Sequence, residues 1–255
     1  MPSSSAPTIP IELARKLQRA RFVAALTGAG VSAESGLATF RDAQTGLWAR
    51  FDPREIATPS AFARNPKLVW DWYAWRRERV GTVQPNAGHR ALAELEARVP
   101  EFLLVTQNVD GLHQRAGSHS VVELHGNITR VKCSREGSIV ERWENSEGEV
   151  PRCVKCGAFL RPDVVWFEEL LPADALSAAE DAARHCDLLL VAGTSAEVYP
   201  AAGLPMLAQE RGATVVEINP NATALSSRAD YVLRGPSGKI LPALLDSVSD
   251  PRRES

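Results

Sequence analysis

The chain has 255 residues, 44% hydrophobic and 24% charged, enough for one large globular domain or for a domain carrying an insertion. Its 29 basic and 31 acidic residues leave a net charge of −2, which excludes a global attraction to nucleic acid or to anionic membrane. No apolar run reaches transmembrane length, and "MPSSSAPTIP" lacks the basic start and apolar core of a secretory signal. A cytoplasmic protein with disordered tails at 1–10 and 249–255 is expected.

The first element is a helix in "IELARKLQRA", where Leu13, Leu17 and Ala20 recur at helical spacing. "RFVAALTGAGVSAESG" then gives a short apolar strand that runs into a glycine-rich turn. "EFLLVTQNVDG", "CDLLLVAGTS" and "ATVVEINP" repeat that pattern: about five apolar residues ending in small or polar ones, as buried parallel strands do. Helical stretches separate them, "AGHRALAELEARV", "ADALSAAEDAARH" and "AAGLPMLAQERG". The alternation predicts an α/β fold with a doubly wound, Rossmann-like parallel sheet over 11–50, 85–127 and 161–248. Two segments break the alternation and are expected to form a smaller inserted lobe: the Trp-rich helical stretch 51–84 and the cysteine-containing 128–160.

Ligands of such sheets sit at the carboxyl ends of the strands, where "GAG", "QNVD", "GTS" and "INP" all fall. In "GAGVSAESG", Gly28 and Gly30 suit a backbone that approaches a pyrophosphate, although the acidic residue that completes a dinucleotide fingerprint is missing. A tight structural turn reads nearly as well. Gln107, Asn108 and Asp110 crowd one strand end, as polar ligand contacts or as the caps of a helix start. Among five histidines, His125 in "VVELHGN" is the one expected to act as a base, since the others lie in polar or helical contexts. Four cysteines in a chain this long do not make a disulfide framework; Cys153 and Cys156 form "CVKC", Cys133 lies upstream and Cys186 stands apart.

"GAGVSAESG", "TFR", "QNVD", "ELHG", "CVKCG", "RPDVVWFEELLP", "GTSAEVYPAA" and "EIN", in this order and at these separations, resemble the sirtuin family of NAD-dependent protein lysine deacylases from about residue 20 to about residue 245. The resemblance implies NAD as cofactor and acylated lysine proteins as substrates, with nicotinamide and 2′-O-acyl-ADP-ribose as products and a monomer as the working form. It assigns NAD contacts to Gly28, Ala29, Gly30, Ser32, Glu34, Phe40, Arg41, Gln107, Asn108 and Asp110, and in the adenosine half to Gly193, Thr194, Ser195, Asn219 and Ser237. His125 would be the general base and Asn108 its companion at the reacting ribose, while Val164, Val165, Trp166 and Phe167 would line the substrate peptide. An ADP-ribosyltransferase on the same scaffold would need the same cofactor residues.

"WYAWRRER" carries a Tyr-x-x-Arg pair, Tyr73 and Arg76, that resembles the mark of the desuccinylase and demalonylase branch. Three apart on a helix, the two share a face and offer a hydroxyl and a planar cation to a carboxylate. Small Ala57 would leave room for a longer acyl group; Trp70, Trp72 and Trp75 are expected in the core and pocket wall. The plainer alternative pairs Arg76 with Glu78 or Asp71 at the surface. Three departures stand out. Glu168 and Ala38 replace the family's usual glycine and proline, and the first pair of its structural zinc module reads "CSRE", with Glu136 where a cysteine is usual. Zinc held with Glu136 as an oxygen ligand, zinc held by Cys133, Cys153, Cys156 and water, and a metal-free module are all compatible with the sequence.

Overall fold

The structure is a computed structural model that describes residues 7–37, 52–144 and 148–248. Helix α1 (Ile11–Arg19) leads into β1 (Phe22–Thr27) and the short α2 (Ala29–Ala33). Three helices follow, α3 (Pro53–Ile56), α4 (Pro59–Arg64) and the long α5 (Pro66–Thr82), each with proline in its first turn and Asp52, Thr58 or Asn65 as side-chain cap. Next come α6 (Ala87–Glu96), β2 (Glu101–Thr106), α7 (Leu112–Arg115), β3 (Val121–Glu123), β4 (Gly126–Cys133) and β5 (Leu160–Val164). The chain ends with α8 (Ala173–His185), β6 (Leu188–Ala192), α9 (Leu204–Glu210), β7 (Thr214–Ile218), β8 (Tyr231–Leu233) and α10 (Ser237–Asp246).

Six strands form one sheet in the order β3-β2-β1-β6-β7-β8, every recorded pairing parallel. The chain winds outward from β1 in one direction and from β6 in the other, so the topological switch point lies between these two strands. The four expected strands are present. β3 and β8 join them at the edges, each only three residues long and too short to read as an apolar run.

Alternation along β1 sorts the core into two layers. Val23 and Ala25 face α1, α6 and α10, whereas Ala24 and Leu26 face α8 and α9. A third apolar cluster fills the small lobe, where α4 and α5 pack on the antiparallel β4–β5 pair and on the buried Cys133 and Cys153. In α5 the buried stripe is Val69, Trp70, Tyr73 and Val80. Trp75 points away from it and is 39% exposed with Arg79 over its ring, which corrects the expectation of a core or pocket-wall residue. Among the described residues no helix is long and apolar enough to cross a membrane.

Candidate active site

At the switch point the Gly28–Gly30 turn meets the loop after β6. Gly30 N–H donates to Gly193 O at 2.8 Å and Gly28 N–H to Ala192 O at 3.1 Å. A Cβ on Gly30 would stand 2.7 Å from Gly193 O, and one on Gly193, at φ +61°, would stand 2.4 Å from Val31 N. These glycines therefore answer first to the contact between two backbones, beside any room they leave for a cofactor.

Ser32 is the hub behind this turn. Its hydroxyl donates to Asp110 Oδ2 at 2.7 Å and accepts from Asn108 Nδ2 at 3.2 Å, while Asn108 Nδ2 also reaches Gly28 O at 3.1 Å. Asp110 Oδ1 takes the Leu112 N–H that opens α7 (2.9 Å), so the capping reading of Asp110 holds together with its place in the cluster. Burial raises the Asp110 carboxyl above its usual range, opposed by the Leu112 N–H, by Ser32 and by the charge of Arg76.

Two histidines set aside in the sequence reading belong to the same network. His89 Nδ1 accepts the Asn86 N–H at 3.3 Å, which puts the ring proton on Nε2, 3.3 Å from Ser32 Oγ. His113 Nε2 lies 3.0 Å from Thr27 Oγ1, which itself donates to Thr106, and the two imidazoles are 4.8 Å apart. The signal for His89 was its place on the buried stripe of α6 with Leu92 and Leu95. Burial lowers His89 to about 4 and His113 to about 3, so the native state holds both neutral. The unfolded chain protonates both near pH 6.5. Stability is thus present above that pH and is lost as pH falls toward the folded values. Between pH 7.5 and 5.5 the two together should remove roughly 2–3 kcal/mol, a fall in Tm of roughly 5–10 °C by calorimetry. His113→Gln should give a shallower decline.

His125 follows β3. Its Nδ1 lies 2.9 Å from the Gln107 carbonyl oxygen, so Nδ1 carries the proton and Nε2 is left as the basic atom. Burial lowers its pKa, partly offset by that same hydrogen bond, and keeps the ring neutral at physiological pH. Gln107 Nε2 donates to Thr194 Oγ1 at 3.1 Å, and Asn219 Nδ2 to Thr194 O at 2.9 Å. Ser195 occupies the same loop as Thr194. The loop carrying Asn219 is fixed by buried Glu217, which accepts from Thr223, from Ser226 at 2.7 Å and from Arg234 at 3.2 Å. Glu34 and Ser237 meet at the start of α10: Glu34 Oε1 accepts from Ser237 Oγ at 3.2 Å and from Gly238 N at 2.8 Å. The Glu34 carboxylate thus caps the start of α10. Phe40, Arg41 and Ala38 lie outside the described residues.

On the other side of His125, Val165 N–H donates to His125 O and Phe167 N–H to Ala57 O, tying the Val164–Phe167 segment to both His125 and Ala57. Trp166 stands between the small-lobe helices and this segment. Its indole N–H donates to Tyr73 Oη at 3.0 Å, and Arg161 lies 3.4 Å over its ring while clasping Glu169 at 2.5 and 2.8 Å. Tyr73 is buried and accepts the indole proton, which directs its own O–H elsewhere; burial pushes its pKa up to about 12, so it stays a donor. Half-buried Arg76, one helical turn on, stacks over Trp72 at 5.0 Å. Asp71, one of the surface partners of the plainer alternative, is engaged by Lys67 at 2.5 Å. Glu168 takes φ +72°, the left-handed region where glycine is at ease and another residue costs about 1–2 kcal/mol.

In the small lobe the Sγ atoms of Cys133, Cys153 and Cys156 lie within 4.8 Å of one another, while buried Cys186 belongs to the sheet core. The exposed Glu136 carboxylate stands outside this group; its backbone N–H instead faces the Cys133 sulfur. Three converging thiols supply three corners of a tetrahedral zinc site, so the donor set fits zinc with one corner open.

A model of the Sir2 family matches residues 28–200. An NAD-dependent protein deacylase of Ralstonia nicotianae is 53% identical over 236 residues, covering 92% of this chain and 96% of that protein. The structure of a Sir2 homologue in complex with NAD is 46% identical, covers 96% of this chain and 95% of its own, and superimposes with a TM-score of 0.88. A Sir2–p53 peptide–NAD complex is 32% identical, covers 92% and 96%, and gives a TM-score of 0.79. By sequence and by fold, this chain belongs to the Sir2 family, the NAD-dependent sirtuins.

Proposed function

We propose that the protein removes acyl groups from lysine side chains of proteins at the expense of NAD, with a preference for acyl groups that end in a carboxylate, succinyl and malonyl. The observation that carries the preference is the pair of donors on α5: Tyr73, held protonated and with its oxygen occupied by Trp166, and Arg76 one turn away. A guanidinium and a phenol on one helix face match a carboxylate; an acetyl methyl offers them nothing.

NAD, when bound, supplies the electrophilic ribose carbon that takes the acyl oxygen and releases nicotinamide. Gly28, Ala29 and Gly30 with Ser32 hold its phosphate side, and Thr194, Ser195, Asn219 and Ser237 its adenosine side. Gln107, Asn108 and Asp110 surround the nicotinamide ribose. Neutral His125, its Nδ1 proton donated to Gln107 O, presents Nε2 to take a proton from a ribose hydroxyl. Val164–Phe167 would run along the substrate peptide. The N–H groups of Val165, Trp166 and Phe167 are already bonded within the protein, so pairing there would use the carbonyl oxygens and Glu168.

The test is direct. Purified protein is given NAD and two otherwise identical peptides, one succinyl-lysine and one acetyl-lysine, and mass spectrometry follows deacylated peptide and O-acyl-ADP-ribose. Faster turnover of the succinyl peptide is expected. Faster turnover of the acetyl peptide would keep the deacylase and remove the carboxylate preference. NAD consumption with neither peptide deacylated would favour ADP-ribosyl transfer.

A further inference from the structure

The cysteine module is built from two turns that repeat each other. In "CSREG" the Gly137 N–H returns to Cys133 O at 2.9 Å, and in "CVKCG" the Gly157 N–H returns to Cys153 O at 2.8 Å. Cys133 N–H donates to Ser138 O at 2.9 Å, and Cys153 N–H to Ala158 O at 2.7 Å. Gly137 and Gly157 take φ +69° and +71°, and each turn is closed by an antiparallel bridge, Lys132 with Ile139 and Arg152 with Phe159. Residue by residue, Cys133 corresponds to Cys153 and Glu136 corresponds to Cys156. Cys133, Cys153 and Cys156 have their sulfurs together, Cys133 and Cys156 at 3.5 Å. The corner that the repeat leaves without a sulfur belongs to Glu136.

We propose that Glu136 completes this site, its carboxylate swinging in to give a zinc ion bound by three thiolates and one carboxylate oxygen. Zinc accepts such an oxygen at about 2.0–2.2 Å. The side chain is exposed, so rotation displaces no packed neighbour. Charge is conserved as well: three thiolates and a carboxylate carry the same formal charge as the four thiolates of a complete four-cysteine site. The longer glutamate side chain reaches past a cysteine sulfur, and this accounts for its standing outside the group until a metal draws it in.

The experiment uses the full chain purified with zinc. Metal content is measured by mass spectrometry, zinc affinity by competition with a chelator, and ligation by the visible spectrum of the cobalt(II)-substituted protein. One zinc per chain is expected. Outer-shell partners typically contribute about 10- to 100-fold to metal affinity, so loss of a direct ligand in Glu136→Gln should weaken binding at least about 10-fold. The cobalt ligand-field bands should shift with it. Glu136→Cys should bind more tightly and strengthen the thiolate-to-cobalt band. Equal affinity of Glu136→Gln and the parent would overturn the proposal, as would weaker binding with an unchanged cobalt spectrum, or a parent chain that retains no zinc. Far-UV circular dichroism confirms that each variant is folded, and none of these readouts depends on deacylase activity.

Discussion

His125→Ala is expected to lower kcat for deacylation by about 10²- to 10⁴-fold, the usual contribution of one positioned general base. The Gln107 carbonyl fixes the imidazole proton on Nδ1, and no protein group need move for Nε2 to act. The ring also bonds the Gln107 carbonyl of the loop after β2, so calorimetric titration with NAD is needed to separate the loss of chemistry from any loss of binding. The parent should show an acidic limb in its pH profile below the ordinary histidine value near 6.5, since burial lowers the His125 pKa. A His125→Ala variant that keeps within a few-fold of parental turnover would remove His125 from the chemistry.

Arg76→Met is expected to depress kcat/KM for a succinyl peptide far more than for an acetyl peptide. Truncating one member of a buried charge pair costs about 2–5 kcal/mol, which converts to roughly thirty-fold to several thousand-fold. Methionine keeps much of the packing over Trp72 while deleting the planar cation. Tyr73→Phe should show the same asymmetry more weakly, because it removes a hydroxyl that also receives the Trp166 indole proton. Steady-state kinetics on both peptides for both variants decide the matter. Equal loss on the two peptides would mean that Arg76 only supports the lobe.

The central strands were legible because burial on both faces leaves little choice but five consecutive apolar residues, as in Leu188–Ala192. The edge strands β3 and β8 were not, since three residues each, half-buried but for Leu233, leave no period to count. The Tyr73/Arg76 face could be read from helical spacing alone, but Trp75 shows the limit: an aromatic run does not say which ring turns outward. His89 and His113 escaped for a different reason. Their burial depends on partners from β1, α2 and α6, brought together only by the fold. Glu34 is similar, because its partner at Gly238 is 204 residues away and no local pattern announces a helix cap at that distance.

The order of synthesis meets the order of the sheet in an instructive way. β1, β2 and β3 emerge early and can pair with each other, but β1 is completed on its other side by β6, and Gly28 and Gly30 rest against Gly193. A nascent chain that has not yet reached Gly193 therefore has the residues of the Gly28–Gly30 turn without the surface that shapes it. Until then one edge of β1 is unpaired and apolar, the condition in which chains adhere to one another. Cofactor affinity should thus arise late and abruptly during translation, and the same long-range pairing should make refolding of the full chain slow for its size.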